Sequence, residues 1–380
     1  MTESDKHAKK SPLSILFHRP QSAVLLAVLA AALAAAGCAT TPPSTAASGP
    51  ATFHVDLGYE DTTQALEAEA FFPNDLTIDV GDTIIFTLRS HEPHTITFNA
   101  PQPLPDPFQP QEDRSLAANP VLFLPSPAPA EPQNPAAPVS LSVAFDGTGY
   151  VNSGFLQKPG DTYSVTFTKP GTWQVLCLLH PEHMKGTIVV NPAGSPRPKT
   201  DEDYRLMAQA QVSDDKAKAE SLLASLQAPA PVSNTDGSTT YTVYAGLGNA
   251  ANGIDFMRYI GGEKLTVKVG DLVNFVLEKN SQGVPHTITF LSGGEDPDIS
   301  IPQPQPSGPP KLLVNPKILM PSPLPPAPYE GSGYYNSGLL LTGGPSHQSY
   351  TITFTKPGTF QYQCIFHDED GMKATVTVQQ

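Results

Sequence analysis

The sequence predicts an all-β protein made of two sandwiches, one in each half of the chain. Short stretches rich in β-branched residues alternate apolar and polar side chains with period two, and Gly or Pro turns close them. The same succession of stretches runs through the chain twice. No helical pattern interrupts either run, which argues for stacked sheets. At 380 residues the chain suits two domains plus appendages.

The first 37 residues read as an export address. Lys6, Lys9, Lys10 and Arg19 form a basic start, and residues 23–36 an apolar run of signal-peptide length, short for a membrane span. The run ends Ala35-Ala36-Gly37-Cys38, which resembles a bacterial lipoprotein cleavage box. The resemblance implies cleavage before Cys38 and lipidation of its thiol, although Leu33 lies five residues before the Cys rather than three. An ordinary signal peptide and an uncleaved anchor are the alternatives. All three put the remainder outside the cytoplasm, in the cell envelope. Residues 38–50 read as a flexible tether.

Domain one is expected over 51–193. Residues 76–82 (LTIDVGD) are a strand closed by a Gly-Asp turn, and 83–88 are the next strand. Pro93-His94-Thr95-Ile96-Thr97-Phe98 follows, then a Pro-rich insert, then the strand pattern of 163–172. Trp173 opens the strand that delivers Cys177, and 186–190 close the domain. Domain two, 240–380, repeats each step: 265–271, 272–277, Pro285-His286-Thr287-Ile288-Thr289-Phe290, 350–359, Phe360 ahead of Cys364, and 374–378. The inserts repeat too. Asn119-Pro120 and Pro125-Ser126-Pro127 match Asn315-Pro316 and Pro321-Ser322-Pro323, and 147–154 (GTGYVNSG) match 331–338 (GSGYYNSG). Punctuation kept in both copies predicts an ordered excursion folded over its own domain rather than a floppy loop. The linker, 194–239, holds one helix over about 201–226, with Thr200 and Asp203 as a capping box and a modest face of Met207, Ala210, Leu222, Leu223 and Leu226.

Chemistry concentrates in two sets of four residues. His94, Cys177, His180 and Met184 recur as His286, Cys364, His367 and Met372. Two imidazoles, a thiolate and a thioether make a soft, low-coordinate site that favours copper cycling between Cu(I) and Cu(II). A Cys-x2-His spacing puts two ligands on one tight loop, and the other His comes from a strand far upstream. Each Cys has its own His three residues on, which weighs against a Cys177–Cys364 disulfide.

With Gly-Asp, Pro-His-Thr and Cys-x2-His-x3/4-Met in order on strands or strand ends, both halves resemble the cupredoxins, and among them plastocyanin and azurin. The resemblance implies Greek-key sandwiches with one type 1 copper each, two ions in all, bound at the residues just named. It also implies electron transport through the edges of His180 and His367, which would reach the surface among Leu178, Leu179, Ile365 and Phe366. His183 is expected to lie exposed beside the first site, and His91 outside the ligand set. Asp368, Glu369 and Asp370 are expected to favour a basic redox partner and to lower the second potential relative to the first.

The net charge is −14, with no basic run beyond the N-terminus, which argues against nucleic acid. No acid–base pair, nucleophile triad or phosphate loop is visible, so neither an enzyme nor a small-molecule substrate is expected. Leu176 and Gln363 stand where a multicopper oxidase would carry a His before its Cys. The expected function is an extracytoplasmic electron carrier between redox proteins. Copper storage or delivery is the alternative, though only six Met are present.

Overall fold

A computed structural model describes residues 49–130, 137–249, 251–281, 283–324, 326–342 and 348–380. The signal segment, Cys38 and nearly all of the tether lie outside the described residues. Among the described residues no helix is long and apolar enough to cross a membrane.

The fold is all-β, and two sandwiches form as the repeat predicts. In each, the strand after the first Gly-Asp turn pairs with a strand far downstream. Thr83–Leu88 lies between Thr52–Asp61 and Thr162–Phe167, and Leu272–Val276 lies between Thr239–Asn249 and Ser349–Thr353. The facing sheets are Asp75–Asp79, Lys185–Asn191, Gly171–Leu176, Thr97–Phe98 and Val151–Asn152 in one half, and the matching five strands in the other. Alternate residues of these strands fill one apolar core per half. Phe86, Phe98, Phe167 and Val175 anchor the first, and Phe275, Phe290, Phe354 and Tyr362 the second. Both cores reach the expected ligands: Cys177 and Met184 lie in the first, Cys364 and Met372 in the second.

Four strands not read from the sequence join the halves. Thr52–Asp61 pairs with Leu66–Phe72, and Thr239–Asn249 with Ile254–Ile260. Leu66–Phe72 and Ile254–Ile260 then pair antiparallel with each other, Asp255 opposite Glu67. One ten-stranded sheet therefore runs through both sandwiches.

The inserts are ordered and repeat each other in structure. In each, an Asn caps a four-residue helix through its side chain, Asn119 for Pro120–Phe123 and Asn315 for Pro316–Leu319. Their reach exceeds the expectation of folding over one domain. Ala117 of the first insert pairs with Leu313 of the second, making a four-stranded sheet across the halves, and the Lys311 Nζ donates to Gln111 Oε1 at 2.9 Å.

The helix spans Asp201–Ser225 with the expected Thr200/Asp203 capping box. Its buried stripe is Tyr204, Ala208, Asp215 and Ala219; Met207 and Ala210 of the expected face are exposed. The helix lies against Thr52–Asp61, Leu66–Phe72 and Ile254–Ile260, so it covers the seam rather than spacing the halves.

Candidate metal centres

Each candidate centre forms where a two-residue strand and a loop meet at one end of a sandwich. His94 stands just before Thr97–Phe98, and Gly171–Leu176 delivers Cys177. The Cys-x2-His-x3-Met loop is closed by its own backbone. The Cys177 amide donates to Met184 O at 3.0 Å, and the Met184 amide to His180 O at 3.0 Å. The loop of Cys364 closes in the same way at 3.1 and 2.9 Å, despite its extra residue. Both Met side chains are fully buried.

The donor atoms converge. His94 Nδ1 and His180 Nδ1 are 3.2 Å apart, and Cys177 Sγ lies 3.9 and 3.7 Å from them. In the second centre, His286 Nδ1 and His367 Nδ1 are 3.2 Å apart, with Cys364 Sγ at 3.9 and 3.5 Å. A trigonal ion with bonds of roughly 2.0–2.3 Å keeps its ligands about 3.5–3.7 Å apart, so each triad fits one soft ion. Neither cysteine is in a disulfide. Burial opposes the Cys177 thiolate, yet the imidazoles of His180 and His94 hold its thiol well below the ordinary value.

The surroundings repeat as well. The Thr95 amide points at Cys177 Sγ at 3.3 Å, and the Thr287 amide at Cys364 Sγ at 3.4 Å. Thr95 Oγ1 accepts from the Leu178 amide at 2.8 Å, and Thr287 Oγ1 from the Ile365 amide at 3.0 Å. One difference stands out. His286 Nε2 donates to Asn280 Oδ1 at 3.0 Å, which leaves Nδ1 free for a metal, whereas the buried Nε2 of His94 has no partner. Gly58 and Gly246, at φ +70° and +83°, leave room for these two rings, and a Cβ there would sit 2.8 Å from His94 Nε2 or 2.5 Å from His286 Nε2.

Several expectations are corrected at the pole. The His180 and His367 side chains are only 11% and 2% exposed and face the seam, because each half covers the other's pole. Glu92 joins them, with Oε1 3.3 Å from His180 Nε2 and Oε2 3.6 Å from His367 Nε2. Leu178 and Ile365 are buried, so the four apolar residues do not form an open docking patch. His183 is not exposed: it packs on Gly253 and bonds Glu69 through Nε2. Asp370 is buried in the seam, and of the acidic triplet only Glu369 stands fully in solvent. Glu69 and Glu92 flank the first centre, and Glu92 and Asp370 flank the second. His91 stands apart from the His94, Cys177 and His180 cluster and is bonded to Glu60.

Glu60, Glu67, Glu69, Glu92 and Asp255, which line this seam, were not singled out in the sequence. The available signal is the alternation Leu66-Glu67-Ala68-Glu69-Ala70. By itself it describes an ordinary strand with a solvated acidic face.

Residues 60–191 match the family model of copper binding proteins of the plastocyanin/azurin family. Among solved structures, a Cu(I) structure of a mutant amicyanin is similar at 21% identity over 37% of this chain and 82% of that one, with a TM-score of 0.20. A second mutant amicyanin in its Cu(I) form is 21% identical over 40% of this chain and 92% of that one, at a TM-score of 0.21. No curated protein matches the chain.

Proposed function

We propose that the protein is an extracytoplasmic electron carrier, not an enzyme, with two mononuclear type 1 copper sites that exchange electrons with each other inside the molecule. His94, Cys177, His180 and Met184 would hold one ion, and His286, Cys364, His367 and Met372 the other. Bound copper supplies a one-electron Cu(I)/Cu(II) couple. The chain supplies a rigid frame of two buried thiols, each approached by a backbone amide, and two imidazoles set by their own strands. Export and a lipid anchor at Cys38 rest on the N-terminal sequence alone.

The observation that carries the relay is Glu92. Its carboxylate touches the outer nitrogen of one loop His from each centre, so the two ligand sets are linked through a single side chain. In a one-domain carrier that His edge would meet a partner; here it meets the other site. The buried thiols favour this reading over storage or delivery, which would require a receiving protein to reach the sulfur.

Copper titration watched by visible absorption tests the reading. Two equivalents with intense blue colour are expected, and Cys177→Ser and Cys364→Ser should each remove one. Rapid one-electron reduction should then show one site re-equilibrating with the other, more slowly in Glu92→Ala. Colourless binding would refute the electron-carrier reading, and an exchange rate indifferent to Glu92 would refute the relay.

A further inference from the structure

Beside the second centre lies a cluster of side chains that neither triad uses. The ligand atoms of Glu60, His91 and Asp370 lie within 4.8 Å of one another. Glu60 and His91 belong to the first half, and Asp370 to the Cys364–Met372 loop of the second. Glu60 is tied to His91 twice, by the His91 amide at 2.7 Å and by the ring Nδ1 at 2.8–2.9 Å.

Glu67 makes the cluster more than a group of acids. It stands directly opposite Glu60 on the paired strand, so both side chains share one face. It is 1% exposed, and neither carboxylate oxygen has a hydrogen-bond partner. Burial, then the charges of Asp370 and Glu60, push its carboxyl well above the usual carboxylate range. Asp370 is 2% exposed and also has one oxygen without a partner. Glu60 and Asp370 thus meet in the seam with Glu67 on the neighbouring strand position; His91 pairs with Glu60, and His367 of the second centre lies within 4.8 Å of Asp370. Buried carboxylates are expensive unless they are paired or coordinate a metal.

The geometry points to a third metal site, holding a divalent cation of the Mn2+ or Zn2+ class through Glu60, Glu67, Asp370 and an imidazole nitrogen of His91. Three oxygens with one nitrogen and no sulfur suit these ions rather than Cu(I), and Ca2+ prefers six to eight oxygens. Neighbouring ligands around such an ion, with bonds of about 2.1 Å, stand roughly 3.0–3.4 Å apart. The Glu60–His91 pair is already near that spacing. His91, 37% exposed, gives the ion a way in from solvent. Because one ligand comes from the second half, the ion would clasp the two sandwiches beside a copper loop.

The test uses the full chain with both copper sites filled and Mn2+ as probe, followed by the loss of its free EPR signal. One equivalent of Mn2+ should bind without loss of copper or blue absorption, and Zn2+ should displace it. Glu67→Gln, which keeps size and removes charge, should weaken Mn2+ binding at least tenfold and leave the copper content and blue band unchanged. His91→Asn, at the exposed edge, should do the same and serves if Glu67→Gln fails to fold. Absence of Mn2+ binding, binding that expels copper, or unchanged affinity in both variants would overturn the proposal. Mn2+ binding in a protein with no blue copper would refute the electron-carrier reading alone.

Discussion

Asn152 and Asn336, from the repeated GYxNSG segments, tie each Pro-rich insert to its candidate metal centre, and replacing either with Ala tests how tightly. Asn152 is fully buried. Its amide nitrogen donates to Leu122 O at 3.0 Å and lies 3.3 and 3.2 Å from Val121 O and Leu124 O, and its Oδ1 accepts from Thr97 Oγ1 at 3.0 Å. Thr97 Oγ1 in turn meets Thr95 Oγ1 at 3.2 Å, next to the amide that points at Cys177 Sγ. Asn336 repeats the pattern with Lys317 O, Ile318 O, Met320 O and Thr289 Oγ1. Two amide donors and one acceptor are worth about three hydrogen bonds, each with a net contribution of roughly 0.5–1.5 kcal/mol. Asn152→Ala should therefore cost about 3 kcal/mol. With a urea slope of roughly 1–3 kcal/mol per molar, the unfolding midpoint should fall by on the order of 1 M or more. Copper affinity should drop in the first site and hold in the second, and Asn336→Ala should do the reverse. A loss below about 0.5 kcal/mol, the scale of an ordinary surface substitution, or equal damage at both sites would refute the linkage.

Asn280→Ala removes the hydrogen bond that orients His286, so second-site copper affinity should fall roughly 10–100-fold, with the first site, whose His94 has no such partner, unchanged in a competitive copper titration. Gly246→Ala places a Cβ at φ +83°, against His286 Nε2 and Asn280 Oδ1. Backbone strain alone should cost about 1–2 kcal/mol, read by urea unfolding, and the displaced ring should alter the blue band of the second site only. Burial, then the charge of Glu69, pushes the Asp255 carboxyl up to about 8. A folded value above the unfolded one means its contribution is complete below about pH 4 and is lost as pH rises toward 8. Urea stability should therefore decline from pH 5 to 8, and Asp255→Asn should flatten that decline.

The two His/Cys/His clusters were legible because the information is local and repeated. A Cys, a His and a Met within eight or nine residues can converge only on one another, and a second copy in the same order rules out chance. The inserts were legible as ordered for the same reason, since Asn152 and Asn336 occupy matching places. Their partner was not, because one pairing of Ala117 with Leu313 leaves no pattern in either segment. The seam was illegible for a different physical reason. The alternation in Leu66–Phe72 shows two faces, but which face is buried depends on a strand nearly two hundred residues away.

The strands at the seam are themselves a repeated pair. Gly58 and Gly246 take the same place against their histidines, and the strand that follows each begins Leu66-Glu67 or Ile254-Asp255. Each strand of the pair thus meets its own counterpart antiparallel, with Glu67 against Asp255 at the centre. This is the self-complementary geometry of a two-fold dimer contact, written here into one chain. Two carboxyl groups placed directly opposite each other make no favourable cross-strand pair, and both are buried without partners. Apolar residues at these two positions would pack the seam more favourably. An acid in each copy is therefore poorly explained by stability. It is better explained by chemistry at the seam, where two candidate metal centres turn their loop histidines toward one carboxylate, with further unpaired acids close by.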